Sequence, residues 1–197
     1  MLLTVTGGSG AGKTTLASAL TATAPHATSR ILHGDDYYFD TPERGVWVLD
    51  DAGVPHLDYG APQSADIERL THDADDALTT ASVVIVEGLF ARHVRPAARC
   101  PRLDVFLDLP ADLRLVRKIQ RKCLRHGFPL DVLLRNYLHH RRDAHERHVE
   151  PARDSSDLVL NGVLPAETLA RQVWTTAGEK LRQRQAGRAG RPSCTSP

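Results

Sequence analysis

Apolar residues are gathered into short runs, with polar stretches of helical period between them. The runs are "LLTVT" (2–6), "RILHG" (30–34), "SVVIVEG" (82–88), "RLDVFLDL" (102–109) and "SDLVLNG" (156–162). They are too short for helices, and "SVVIVEG" is unbroken, as in a parallel strand buried on both faces. Residues 13–22, 64–79, 111–126, 130–148 and 165–185 are helix-forming or carry apolar positions at helical spacing; Ile67, Leu70, Ala74, Ala77 and Leu78 mark one such face. Strand and helix alternate at least four times. The chain therefore reads as α/β, a parallel sheet of about five strands with helices on both faces.

Two regions depart from that alternation. Residues 40–62 are rich in Gly, Pro and Asp, and "DDAG" divides two apolar stretches, which predicts a small inserted hairpin. "AGRAGRPSCTSP" (186–197) has no periodicity and is expected to be a disordered tail behind a single domain spanning 1–185.

The composition removes several function classes. The 197 residues, 41% hydrophobic and 25% charged, suffice for the core of one soluble domain. A formal net charge of +1 argues against a dedicated nucleic-acid binder, which carries a basic excess. No segment approaches the ~20 apolar residues that cross a bilayer. "MLLTVT" runs into glycines and not into the apolar core of a signal peptide. Cys100, Cys123 and Cys194 are odd in number and widely spaced, with no CxxC pair, so a reducing, cytoplasmic location is expected.

The candidate chemistry starts at residues 7–14, "GGSGAGKT", which fit G-x-x-x-x-G-K-[ST] with an apolar strand before and a helix after. Across Gly7, Gly8, Ser9, Gly10, Ala11 and Gly12 the backbone can wrap phosphate oxygens with its N–H groups, and the following helix adds its positive end. Lys13 can reach the β- and γ-phosphates and the Thr14 hydroxyl can ligate Mg²⁺, with Thr15 beside it. The pattern implies nucleoside triphosphate binding. It does not separate a kinase from a switch GTPase, a transporter ATPase or a motor.

Two acids stand at strand ends. The carboxyl ends of parallel strands face the ligand crevice. Glu87, closing "VVIVEG", is thereby placed near the metal or its waters; otherwise it is an acid escaping to solvent. Asp35 in "HGDDYYFD" (33–40) is brought to the same crevice, where a hydroxyl attacking a γ-phosphoryl needs a proton acceptor. Asp36 reads as a turn residue. Tyr37 is expected to pack inward and Tyr38 to face the acceptor.

The segment 112–127 carries Arg114, Arg117, Lys118, Arg121, Lys122 and Arg125, most of them on one helical stripe. A charge run is usually a solvated face. Beside a triphosphate it can be a closing lid, at about 111–129, whose cations stabilise the transferring group and exclude water. His139, His140, His145 and His148 in "HHRRDAHERH" fit a hydrated helix better than a metal site.

From residue 2 to about 162 the chain resembles the uridine kinase branch of the P-loop kinases, which also holds phosphoribulokinase-like and nicotinamide riboside kinase-like enzymes. The likeness rests on "GGSGAGKTT", "GDDYY", "DYGAPQSAD" (58–66), "VIVEGLFA" (84–91) and the run from "DVFLDLPADLRLVRKIQRKCLRHG" to "NYLHHRRDAHERHVEPARDSSDLVLNG", in that order. The resemblance implies a kinase that uses ATP and Mg²⁺, with Asp35 as base and Tyr38 lining the acceptor site. It assigns Thr14 and Glu87, with Asp35, to the metal or its water shell, and Arg117, Lys118 and Arg121 to the phosphates. A homo-oligomer is compatible with it.

The departures fall on the acceptor side. The family's substrate loop reads D-W-D-x-P-x-S-x-D and its second Asp holds ribose hydroxyls; here Asp58-Tyr59-Gly60 opens the loop, so Gly60 stands in place of that Asp and Asp58 is the substitute at hand. The family lid often ends R-G-R, and here His126-Gly127-Phe128 stands instead. The resulting expectation is a phosphotransferase whose acceptor is a small hydroxyl compound, foremost the 5′-OH of a nucleoside such as uridine or cytidine. Nicotinamide riboside, a pantothenate-like alcohol and a specialised natural product remain as acceptors. A switch NTPase without an acceptor is the alternative of another class, although no Asn-Lys-x-Asp guanine motif is present.

Overall fold

In the computed structural model, which describes residues 1–24, 28–49 and 53–189, the predicted alternation is present. Strand β1 (Leu2–Thr6) leads through the glycine loop into helix α1 (Lys13–Ala22), and β2 (Ser29–His33) follows. β3 (Trp47–Leu49) and β4 (Pro55–Leu57) are a separate antiparallel pair, the expected hairpin. Its residues 50–52, in the "DDAG" turn, lie outside the described residues. Then come α2 (Ile67–Thr80), β5 (Val83–Gly88), β6 (Arg102–Asp108), α3 (Ala111–Ile119), α4 (Leu130–Asn136), α5 (Arg142–His148), β7 (Leu158–Asn161) and α6 (Ala166–Ala189).

The main sheet is all parallel, in the order β2-β5-β1-β6-β7. The chain moves outward from β1 on one side through β5 and β2, and on the other through β6 and β7. The crevice at the carboxyl end of β1 is therefore the switch point where ligands bind in such sheets.

Strand alternation divides the core into two layers. Leu3, Val5, Ile85, Val105 and Leu107 pack on Leu16 and Leu20 of α1 and on Leu169 and Val173 of α6. Leu2, Val84 and Val86 face the other way, onto Leu70, Ala74 and Ala77 of α2. Each fully buried aliphatic side chain stabilises the fold by roughly 1.5–3 kcal/mol, so this two-sided packing holds the loop-bearing strand rigid.

The boundaries differ from the sequence expectation where side chains decide them. α2 starts at Ile67 and not at Ser64, because Asp66 is the cap and its carboxylate accepts from the Arg69 N–H at 3.0 Å. Ser64 is buried in a turn, and its Oγ accepts from the Val46 N–H at 3.1 Å. The closing helix runs on to Ala189, past the expected end at 185. Residues 190–197 of the predicted tail lie outside the described residues.

The two long helices expected at 111–126 and 130–148 are each interrupted. α3 continues as a π-helical segment, Gln120–Arg125. Another π-helical segment, Tyr137–Arg141, joins α4 to α5. Such turns add a residue and shift the phase of everything after them.

Candidate active site

The glycine loop is held against the base of the lid. Gly10 lies at φ +89°, and a Cβ there would stand 2.6 Å from the Arg114 carbonyl oxygen, so only glycine fits. Lys13 Nζ donates to the Gly8 carbonyl at 3.2 Å, across its own loop. Burial pushes the Lys13 ammonium below its ordinary range; Glu87 and Asp35 oppose the shift, and Arg121 and Arg114 add to it. Both predicted acids thus act on the loop lysine.

Glu87 is 4% exposed at the end of β5, in register with Val5 on one side and His33 on the other. Its Oε1 accepts from Thr14 Oγ1 at 3.0 Å, and His33 Nδ1 lies 2.9 Å from the same oxygen. A hydroxyl and a carboxylate oxygen, adjacent at the mouth of a phosphate-binding loop, are the hard donors that Mg²⁺ takes alongside phosphate and water. Among the described residues no cluster of three or more His, Cys, Asp or Glu could hold a metal by itself. The site fits an ion held jointly with a nucleotide.

Asp35 sits in the 3₁₀ turn Gly34–Tyr37, just beyond β2. The two tyrosines beside it point to different places, Tyr37 inward and Tyr38 to the cleft. Tyr37 is buried in the α2 layer and donates to Asp73 Oδ2 at 2.7 Å. Tyr38 lines the cleft and donates from its hydroxyl to the Tyr59 carbonyl at 3.0 Å, with the two rings edge-on at 4.9 Å. Burial, then the nearby Asp35 carboxylate, pushes the Tyr38 phenol well above its usual range, so it acts as a neutral hydroxyl.

A cleft of about 710 Å³ runs from the loop to these tyrosines. Loop residues 9–15, Asp35, Tyr38, Tyr59, Glu87, Arg117, Lys118 and Arg121 all face it. Gly7, Gly8, Asp58 and His126 are not among the lining residues. Gly7 lies against the Leu107 carbonyl and Gly8 beneath the Arg114 side chain. His126 is exposed in the turn after the first π-helical segment. Arg117 donates to the Ala11 carbonyl and the Gly162 carbonyl, both at 3.2 Å, and Arg114 Nε donates to the Leu109 carbonyl at 2.9 Å. The lid's base is therefore tied to the loop, while Lys118 and Arg121 face the cleft further along.

Asp58 lies behind the wall. Its Oδ1 accepts from Arg141 Nη1 at 2.8 Å and from the Gly60 N–H at 2.9 Å. A Cβ at Gly60 would stand 2.5 Å from the Ala144 Cβ. α5 thus occupies the space that a side chain at position 60 would need.

Arg141, Tyr137 and His33 have no role assigned from the sequence, and His145 reads there only as part of a hydrated helix. Arg141, Tyr137 and His145 line the cleft, and His33 braces Glu87. His145 is 14% exposed and 3.0 Å from Glu150 Oε2, so at this residue the expected hydrated helix is corrected. The π turn before α5 rotates its face by about one residue, which unbroken helical periodicity cannot anticipate.

Residues 36–169 match the model of the phosphoribulokinase / uridine kinase family. Uridine kinase of Deinococcus deserti is 27% identical over 175 residues, covering 79% of this chain and 84% of that protein. Uridine kinase of Chlamydia pneumoniae is 27% identical over 187 residues, 82% of each chain. Among solved structures, a gluconokinase from Sinorhizobium meliloti superposes with a TM-score of 0.57 at 16% identity, over 94% of this chain and 95% of that one. A shikimate kinase from Acinetobacter baumannii in complex with shikimate gives 0.52 at 17%, over 88% and 90%. At these identities the two structures speak for the fold alone.

Proposed function

Because the chain belongs to the phosphoribulokinase / uridine kinase family and is an ATP-dependent small-molecule kinase, we propose that it moves the γ-phosphoryl of ATP to a hydroxyl held against Asp35. The observation that carries this is the single cleft joining the glycine loop to Asp35 and Tyr38. The loop N–H groups and Lys13 hold the phosphates, and Lys118 and Arg121 approach the charge that develops on the transferring group. Thr14 and Glu87 would hold Mg²⁺, which when bound neutralises the β- and γ-phosphate oxygens. Asp35 takes the proton of the attacking hydroxyl. The lid over the cleft excludes water as a competing acceptor. We place the chain in the cytoplasm: Cys100 and Cys123 are free thiols, and no helix of the described residues is long and apolar enough to cross a membrane.

The names of the relatives favour the 5′-OH of a nucleoside as acceptor. One observation favours a second class. With Ala144 filling the space beside Gly60, no side chain from position 60 can reach a ribose diol, which turns attention to hydroxyl compounds without ribose.

Asp35→Asn tests the base. ATP binding, followed by titration calorimetry, should persist, and ADP release in the presence of an acceptor should fall by ~10²-fold or more. Full turnover in the variant would remove Asp35 from this role. ATP hydrolysis that no hydroxyl compound accelerates would favour a switch NTPase.

A further inference from the structure

Arg141 is the cleft cation that the phosphate machinery leaves unexplained. It comes from the π-helical turn before α5, not from the lid, and its guanidinium carbon lies 5.5 Å from the Tyr59 ring centre. It lines the same cleft as Tyr38, and unlike Arg114 and Arg117 it is not tied to a backbone carbonyl near the loop. Its side chain is only 24% exposed, so its position is a built one.

Two contacts fix it there. Asp58 Oδ1 accepts from Nη1 at 2.8 Å, and the Gly60 N–H holds that oxygen from the other side. Gly60 can do so because, lacking a Cβ, it lets Ala144 approach. Of the five N–H donors of a guanidinium, the one nitrogen named is engaged; among the described residues Nε and Nη2 donate to no protein atom. A planar fork with free donors, held partly buried, matches a carboxylate or phosphate.

The surrounding charge agrees. The cleft is lined by seven lysines and arginines against two carboxylates, Asp35 and Glu87. Glu87 is engaged by Thr14 and His33 at the loop end. Bound MgATP carries about two negative charges, so the cleft lining as a whole keeps a positive excess after the nucleotide has bound, even with Asp58 paired to Arg141. Lys118 is held low, at about 8, by burial and by Arg141 and other cations around it.

We propose that Arg141, steered by Asp58, selects an acceptor that bears an oxyanion, a carboxylate or a phosphate, beside its reacting hydroxyl. This rests on the phosphotransferase function above and names the charge class of its acceptor. Asp35 takes the hydroxyl proton, the new O–P bond forms, the bond from the γ-phosphorus to the β-bridging oxygen breaks, and ADP leaves. The acceptor's anion stays unchanged on Arg141.

The test is ADP release from MgATP with a panel of acceptors. Uridine, cytidine and glycerol form the neutral arm, glycerate and gluconate the carboxylate arm, and glycerol 3-phosphate and ribose 5-phosphate the phosphate arm. At least one anionic arm should exceed every neutral compound by roughly tenfold or more in kcat/KM, in keeping with a charge-assisted hydrogen-bonded pair. Which arm wins separates carboxylate from phosphate. Arg141→Met should remove that preference and leave KM for ATP in place. If loss of the Asp58 partner unfolds that variant, Arg141→Lys keeps a charge on Asp58 and still loses the planar fork. Uridine matching the best anionic compound would overturn the inference and leave the phosphotransferase function standing. So would variants that raise KM for ATP alone, because Arg141 would then serve the nucleotide. If no compound accelerates ADP release, the phosphotransferase function and the inference fall together.

Discussion

Adding one methyl group at Gly60 should destabilise the fold through a contact with a distant helix. Gly60 is not among the residues with positive φ, so alanine is conformationally allowed there and the effect is purely steric. The new Cβ would stand 2.5 Å from the Ala144 Cβ. Neither atom has a rotamer to escape into, so backbone must move. Overpacking of this kind costs roughly 1–3 kcal/mol. The restricted unfolded chain returns about 0.4–1 kcal/mol of that. Gly60→Ala should therefore lose up to about 2.6 kcal/mol in urea denaturation at constant slope. Ala144→Gly lies within α5 and costs about 1 kcal/mol in helix propensity by itself, yet it removes the clash. With the clash gone, the double variant should cost no more than Ala144→Gly alone, a coupling of about 1–3 kcal/mol between the two positions. Strictly additive losses, or a Gly60→Ala protein more stable than the parent, would refute the packing of α5 on this loop.

Two further outcomes follow from charge and from hydrogen bonding. Lys118 lies at about 8 in the free protein through burial and neighbouring cations, and a bound triphosphate raises it. ATP binding then takes up a proton above pH 8, so Kd for MgATP should weaken by up to ~10-fold per pH unit there, and Lys118→Met should flatten that profile. The sign for folding is opposite. Because the folded value lies below the ordinary 10.5, the unfolded chain holds the proton longer, and the unliganded protein gains stability as pH rises from about 8 towards 10.5. Tyr37→Phe deletes the bond to Asp73, formed at 2.7 Å, and should cost about 1 kcal/mol in a denaturation curve while kcat stays at the parent's value. A fall in kcat would contradict the division of labour between Tyr37 and Tyr38.

What the sequence makes legible here is what short-range pattern can encode. The glycine loop, the apolar strands and Glu87 at the end of one of them are local, and the sheet order then brings Glu87 beside Thr14 without further information. Asp35 is legible for the same reason: it follows β2, and β2 pairs with the strand that carries Glu87. The start of α2 is not, because Asp66 and Ser64 are both fair caps by type, and only the bond from the Val46 N–H to the Ser64 hydroxyl separates them. Arg141 is less legible still. It lies in a charged run that suits a solvated helix, and two events that leave no periodic trace turn it inward. One is the π turn that shifts its phase, and the other is the docking of Ala144 on a glycine from a different segment.

These two kinds of legibility fall on the two substrates. The phosphate end is built from one continuous stretch of backbone and a few strand termini, so its chemistry is carried by a motif. The proposed acceptor end lies where residues 58–60 of the hairpin side meet the π turn and α5, and on that proposal its chemistry depends on which side chain that meeting excludes and which it aims. Gly60 and Arg141 are two halves of one choice. Omitting the side chain at position 60 admits the helix that presents the guanidinium, and Asp58, left without a ribose-facing neighbour in the loop, becomes the anchor that holds it. A substitution that restores a carboxylate at position 60 would therefore have to displace α5, and with it Arg141, before it could contact any acceptor.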